Sequence, residues 1–244
     1  MTQAGVAAIQ NARVVPRRRV RSKERSKLAQ SKRAELIKAA AALLADSKPQ
    51  DLSIRTIAAA AGCTTGAVYR QFNSAEHLIR IACVKFLEDY MADLNELLLA
   101  DDEPLKQHVA MWRAFGRQAF ANVDVFELMF WEMDEDDLND AIFAYYQEFP
   151  EGWRKLSGFQ VMIFFSSNIR ERNLLTLKRC MAKYKLSEIE VRIINDLELT
   201  SFRGLLREYG DCYREPGKPE EGLERFMSML DYVLGLVQIM DDNA

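Results

Sequence analysis

The chain has 244 residues, 49% of them apolar and 28% charged, with eleven glycines and six prolines. That apolar share builds a core without covalent staples, and so few turn-formers exclude a loop-rich all-β protein. The abundance of Ala, Leu, Glu, Lys and Met favours helices, so the expected fold is all-α. Four scattered cysteines (Cys63, Cys83, Cys180, Cys212) form no CxxC pair, which speaks against a disulfide framework or a zinc site. No apolar run reaches about eighteen residues and the N-terminus lacks a signal-peptide pattern, so a cytoplasmic protein without a membrane span is expected.

The net charge of −3 conceals an asymmetry. Residues 1–33 hold ten Lys or Arg against Glu24 alone, a net of +9, which leaves −12 for residues 34–244. Residues 1–30 lack apolar periodicity and read as an arm disordered without a partner. Its basic residues, among them Arg17, Arg18, Arg19 and Arg21, either contact phosphate or the minor groove, or form a solvated tail.

From Ser31 the pattern changes. Leu36, Ile37, Ala40, Leu43 and Leu44 repeat at helical spacing, and this helix ends near Asp46-Ser47-Lys48-Pro49. Ser53 caps a second helix with Ile54, Ile57, Ala58 and Ala61 on its inner face, and Gly62 ends it. Thr64 caps a short third helix, with Val68, Tyr69 and Phe72 expected inward, and Asn73-Ser74 open a fourth. Three short helices with a glycine turn before the third make a helix-turn-helix pattern. The fourth helix is expected to run unbroken from Ala75 to Leu99, with Leu78, Ile79, Ala82, Phe86, Tyr90, Leu94, Leu97 and Leu98 as its apolar stripe. Beyond Pro104, segments 104–121, 123–133, 136–149, 153–184, 187–212 and 219–241 read as helices, the fourth of these either as one or as two broken near Ser166-Ser167-Asn168. Ser187 with Glu190 fits a capping box, and Pro219 with Glu220 and Glu221 fits a first helical turn.

A recognition helix brings its N-terminal end to the major groove, so small or hydrogen-bonding side chains belong there, as Thr64, Thr65, Gly66 and Ala67 are. Gln71 suits adenine, and Arg55 and Arg70 suit guanine or phosphate. On a short helix the same polar residues also serve as mere solvated surface. Val68 and Phe72 read as core, Cys63 as a turn-packing residue, and Tyr69 as either core or a DNA contact.

The segment from Leu52 to Leu78, with its Gly62-Cys63-Thr64 turn, Gly66-Ala67-Val68-Tyr69, Phe72-Asn73-Ser74, Glu76 and Leu78, closely resembles the TetR family of repressors. The resemblance covers residues 31–80. It implies DNA contacts at Arg55, Thr65, Gly66, Ala67, Tyr69 and Gln71, with the Tyr69 hydroxyl on phosphate. One departure is Ala75, where many members have a phosphate-gripping lysine. The expected organisation is an arm (1–30), a helix-turn-helix DNA-binding domain (31–80) and a larger helical ligand-binding and dimerisation domain (81–244).

Between Trp112 and Phe165 aromatic and thioether side chains are dense. Most are core, and a subset is expected to line a cavity for a small hydrophobic effector, with Trp112, Phe115, Phe130, Trp131, Phe159 and Met162 as candidates. The acidic run Glu132-Met133-Asp134-Glu135-Asp136-Asp137 reads as a helix start rather than a cation site. His77 and His108 are far apart in sequence, and no catalytic set, metal site, phosphate loop or cofactor motif emerges, so no enzyme is expected. Helices 187–212 and 219–241 carry surplus apolar surface, and in TetR-like proteins the last two helices form the dimer interface. The resulting expectation is a homodimeric regulator, a repressor at a palindromic double-stranded operator on the nucleoid, released by a small ligand. The rival readings are a helix-turn-helix protein of chromosome organisation or cell division governed by a protein partner, and a helical enzyme using the acidic run.

Overall fold

The computed structural model describes residues 32–99, 103–153 and 168–242, and it contains no strand among them. The first helix, α1, covers 32–44, with Leu36, Ile37, Ala40 and Leu44 buried and Leu43 half-buried, on the face its spacing predicts. A short 3-10 turn at Pro49–Asp51 leads to α2 (Ile54–Ala60), α3 (Thr65–Tyr69) and α4 (Ala75–Cys83). Each of these three starts on a side-chain cap. Ser53 accepts from the Thr56 amide, Thr64 from that of Ala67 and Ser74 from that of His77, which satisfies amides the first helical turn leaves open.

The expected single helix from Ala75 to Leu99 is interrupted. A 3-10 turn at Val84–Leu87 separates α4 from α5 (Glu88–Leu99). At three residues per turn the chain winds faster than an α-helix, about 80° further over four residues, so the apolar stripe is re-aimed. Cys83, Leu87 and Met91 are buried in consequence, while Phe86 and Tyr90 are only half-buried.

The body continues with α6 (Pro104–Ala121), α7 (Val123–Glu127), a π turn (Leu128–Glu132), α8 (Glu135–Glu148), α9 (Pro150–Trp153), α10 (Ile169–Tyr184), α11 (Glu188–Glu208) and α12 (Lys218–Asp242). The segment expected at 123–133 is thus a short α-helix prolonged by a π turn, closed by a bond of 2.9 Å from the Met133 amide to the Leu128 carbonyl. The expected break near Ser166-Ser167-Asn168 lies largely outside the described residues, and α10 starts directly after Asn168. The helix expected to reach 212 stops at Glu208. The Gly210 amide turns back to the Arg207 carbonyl, and the Tyr213 hydroxyl donates to Asp124, so the chain folds over α7 instead of extending.

Helix α6 is the centre of the body and packs against α5, α10 and α12, while α11 packs on α10 and α12 and α4 lies on α8. Phe115, Phe120, Phe202 and Phe226 form a buried ring cluster with Trp112, with centroids 4.9–5.9 Å apart. Each such side chain contributes about 1.5–3 kcal/mol through burial alone. A Cβ at Gly222 would stand 2.6 Å from the Phe120 ring, so α6 and α12 touch where only glycine fits. Among the described residues, no helix is long and apolar enough to cross a membrane.

Candidate functional site

Two places concentrate unusual side chains: the outer face of α2 and α3, and the centre of the body. On the first, Gly62 has φ +59°, a conformation glycine adopts without strain, and it turns the chain from α2 into α3. Val68 and Phe72 are buried and Cys63 packs half-buried against the core, as expected. The inward placement expected for Tyr69 is incorrect: it is 61% exposed, because Val68 and Phe72 already fill the inner face of so short a helix. Arg55, Thr64, Thr65, Gly66 and Arg70 are exposed, and Ala67 and Gln71 half-buried. The nearest atom to a Cβ built on Gly66 is Thr64 Oγ1 at 4.0 Å, so packing within the protein does not require glycine there.

Sequence reasoning missed what holds this unit to the body. Arg33, counted only as part of the basic arm, lies 4.3 Å over the Phe72 ring. It donates through Nη1 to the Gln71 carbonyl and pairs through Nε with Glu148 at 3.3 Å. Burial draws the Arg33 guanidinium below its ordinary range and pushes the Glu148 carboxyl up, the latter opposed by Arg33's charge. Arg80 of α4 pairs with Asp137 in the first turn of α8. Helix α8 is therefore strapped at both ends to the unit formed by α1–α4. His77, between the straps, is held below its usual pKa by burial and then by the charges of Arg33 and Arg80.

In the body, a cavity of about 50 Å³ is lined by Tyr90, Met111, Trp112, Phe115, Phe130 and Arg172, with His108, Ile169, Asn173 and Thr176 completing it. Of the candidate residues, Trp112, Phe115 and Phe130 are brought together on this cavity. Trp131 is not: it points from the π turn to a separate groove with Leu199 and Arg203, and stacks on Phe202 at 6.1 Å. The residue after Phe130 on a helical turn faces roughly 90° away, which separates the two rings. Phe159 and Met162 lie outside the described residues, as do Arg17, Arg18, Arg19 and Arg21.

Behind the cavity wall lies a buried polar cluster, also missed. Glu198 Oε2 accepts from Trp112 Nε1 at 3.2 Å and Asn173 Nδ2 at 2.6 Å, and Asn173 also donates to Asn195 at 2.9 Å. The Thr176 hydroxyl donates to the Asn173 carbonyl, so its oxygen accepts from His108 Nδ1 at 2.9 Å. His108 Nε2 and Glu198 Oε1, 2.9 Å apart, then share one proton, and the pair is neutral overall in either arrangement. The cluster ties α6, α10 and α11 into one unit. Its only sequence signal is a lone polar residue at an inward helical position, such as Glu198 beside Leu199.

The acidic run resolves as the start of α8. Asp134 caps it by accepting from the Asp137 amide, and Glu135, Asp136 and Asp137 occupy the first turn. No group of three His, Cys, Asp or Glu among the described residues stands where it could hold a metal ion.

Residues 36–80 match the bacterial regulatory proteins of the tetR family. The chain carries a tetR-family regulatory domain. The structure is similar to a Clostridium perfringens protein assigned to regulation of fatty acid metabolism, with 16% identity, 81% of this chain and 97% of that one covered, and a TM-score of 0.50. It is equally similar to the fatty acid degradation regulator FadR from Bacillus halodurans, with 14% identity, 82% and 94% coverage and a TM-score of 0.50. A protein from Shewanella sp. PV-4 assigned to the tetR family of transcription regulators aligns at 16% identity over 81% of this chain and 96% of that one, with a TM-score of 0.46. At such identities the two likenesses with a TM-score of 0.50 speak to the fold alone. No curated protein sequence matches the chain. Within the tetR-type unit, Ala75 starts α4 half-buried, and Arg33 and Arg80 pair with carboxylates of α8.

Proposed function

We propose that the protein is a DNA-binding transcriptional repressor that grips a palindromic operator as a homodimer and lets go when a small ligand enters the body. The observation that carries the reading is the outer face of α3. There Tyr69 stands out into solvent and Gly66 has open space around it, both without a role in the protein's own packing. A side chain that offers a hydroxyl and a glycine that admits close backbone approach suit phosphate, and Thr65, Ala67 and Gln71 suit base edges. Arg55, Thr64 and Arg70 border this face, and the arm of residues 1–30 adds Arg17, Arg18, Arg19 and Arg21 as phosphate contacts in place of the lysine absent at Ala75. Residues 31–80 form the reading unit and residues 81–244 the effector and dimerisation domain.

Dimerisation through α11 and α12 is supported by what they leave uncovered. Ile189, Ile193 and Leu197 repeat every four residues on α11 and are 70%, 53% and 47% exposed, and Tyr232 on α12 is 73% exposed. Such a stripe needs a partner, and a second copy also sets two recognition helices about one DNA turn, ~34 Å, apart. The further apolar residues Leu236, Val237, Ile239 and Met240 have side chains outside the described set. Release follows from linkage: a ligand that favours one setting of α8, and through Arg33 and Arg80 one setting of α3, opposes DNA that favours the other.

The test is selection of bound fragments from a random duplex pool at near-physiological salt. One inverted-repeat motif is expected, with binding reduced about tenfold or more by Tyr69→Ala or Gln71→Ala. Recovery of no motif, or of salt-sensitive binding that survives those substitutions and is lost only on removing residues 1–30, would overturn the reading.

A further inference from the structure

A groove of about 410 Å³ runs between α1 and the body, apart from the cavity beside the Glu198 cluster. Its direction follows from contacts at either end. Lys38 lies 5.6 Å from the centre of the Phe149 ring at the end of α8, and Lys48, just past α1, pairs with Asp124 of α7 at 3.7 Å. The groove thus lies along α1 from Lys38 to Ala45, about 10 Å of helix. Its volume sets what fits. A cavity of about 150 Å³ admits one benzene ring, so this groove has room for about two or three rings, whereas the cavity of about 50 Å³ in the body admits none without movement.

The two long walls differ in kind. On α1 the wall is Ile37 with the methyl groups of Ala41, Ala42 and Ala45, low side chains that leave a smooth face. Opposite stand the rings of Phe86, Tyr145 and Phe149, the last two with centroids 4.7 Å apart. Phe86 and Phe149 are only half-buried, so ring surface that the core leaves uncovered faces this space. A slot with rings on one side and methyl groups on the other is complementary to a flat, rigid molecule. Such a molecule stacks along its whole face, whereas a flexible chain gives up its rotamer freedom to lie there.

The charges along the groove are balanced. Lys85 pairs with Glu88, which also accepts from the Tyr145 hydroxyl. Lys38 on α1 and Asp89 on α5 are exposed and form no ion pair among the described residues. An anion drawn to Lys38 meets Asp89 as a like charge, and a cation drawn to Asp89 meets Lys38. A hydroxyl answers both, because it accepts from an ammonium and donates to a carboxylate. Gln118, at the end of α6, adds an amide that does the same.

We propose that this groove binds a neutral, flat, fused-ring aromatic molecule of about two or three rings with hydroxyl groups at its ends, seated between α1 and the rings of Phe86, Tyr145 and Phe149. The site goes beyond the effector reading above and does not rest on it. A molecule so placed touches the reading unit and the body at once.

The test is calorimetric titration of the full-length, DNA-free protein with a dihydroxynaphthalene whose hydroxyls stand at opposite ends, beside naphthalene dicarboxylate and octanediol. The second probe keeps the rings and brings charge, and the third keeps the hydroxyls on a flexible chain. Saturable binding of the dihydroxynaphthalene is expected below about 1 mM, at least about tenfold tighter than either of the others. Ala42→Trp, at an exposed position, is expected to fill the slot and abolish binding with an unchanged thermal transition. Lys38→Met and Asp89→Asn, also at exposed positions, are each expected to weaken binding several-fold. Unchanged affinity in Ala42→Trp would place the ligand elsewhere and overturn the site. Equal binding of octanediol would overturn the flat class, and equal binding of the dicarboxylate the neutral one. Binding of no probe would overturn the proposal, and binding seen only after removal of residues 1–30 would assign the groove to the chain's own arm instead.

Discussion

In residues 32–80 the polar side chains at helix starts are spent on the backbone: Ser53, Thr64 and Ser74 cap three consecutive helices over a core of aliphatic groups and Phe72. The body, by contrast, buries His108, Glu198, Asn173, Asn195 and Thr176 at its centre, linked to each other and not to helix ends. The first region holds itself by local rules and keeps its outer face free for a partner. The second is held by contacts between residues far apart in sequence, 90 positions for His108 and Glu198, so its stability and its cavity are one structure. Reading DNA calls for a rigid small unit. On the proposed function, responding to a ligand calls for a core that can be disturbed.

The largest expected effect breaks this comparison on the body's side. Glu198→Ala leaves the donors of His108, Trp112 and Asn173 without their acceptor and is expected to cost about 3–5 kcal/mol in denaturant unfolding. A loss below about 1 kcal/mol would show that the cluster does not brace the body. On the other side, Thr64→Ala removes the cap of α3 and is expected to cost about 1 kcal/mol while the thermal transition stays single. If that substitution destabilised the protein as much as the loss of Glu198, the reading unit would not be held locally. The smallest effect is electrostatic. Burial opposes the charge of Glu103, but the Leu105 and Lys106 amides, the Tyr184 hydroxyl and Lys183 together hold its pKa down to about 2 from 4.5. The folded pKa is depressed, so the stability it supplies is complete above about pH 4.5 and drains away as pH falls toward 2. With Glu103 partly exposed and Lys183 half-exposed this amounts to about 0.5 kcal/mol, and Glu103→Gln is expected to flatten that part of the acid unfolding curve.

The same contrast explains how much could be read in advance. Caps, glycine turn, core face and outer face of the reading unit follow from spacing within thirty residues, and there the sequence misplaced Tyr69 alone, since a helix of five residues is too short for its period to separate flank from inside. In the body, helix positions were legible from periodicity and proline, and the starts of α8 and α11 from their acidic residues and caps. The 3-10 turn at Val84–Leu87 and the π turn carry no proline or glycine to announce them. The aromatic half of the cavity could be nominated by density. Its polar half, Tyr90 and Arg172, comes from helices 82 residues apart in sequence, and only packing brings them together. Arg33 was hidden by its neighbours, being the last of a basic run.

The π turn at Leu128–Glu132 has a consequence for the chain's history as well as its motion. A π turn is an α-helix that has absorbed one residue too many without unravelling. The chain between α7 and α8 is therefore adjustable by one residue: a deletion there lets the turn close as ordinary helix, with both flanking helices intact and Phe130 rotated off the cavity. Length variation at this single point offers a way to reshape the cavity wall while leaving the helices that carry it untouched.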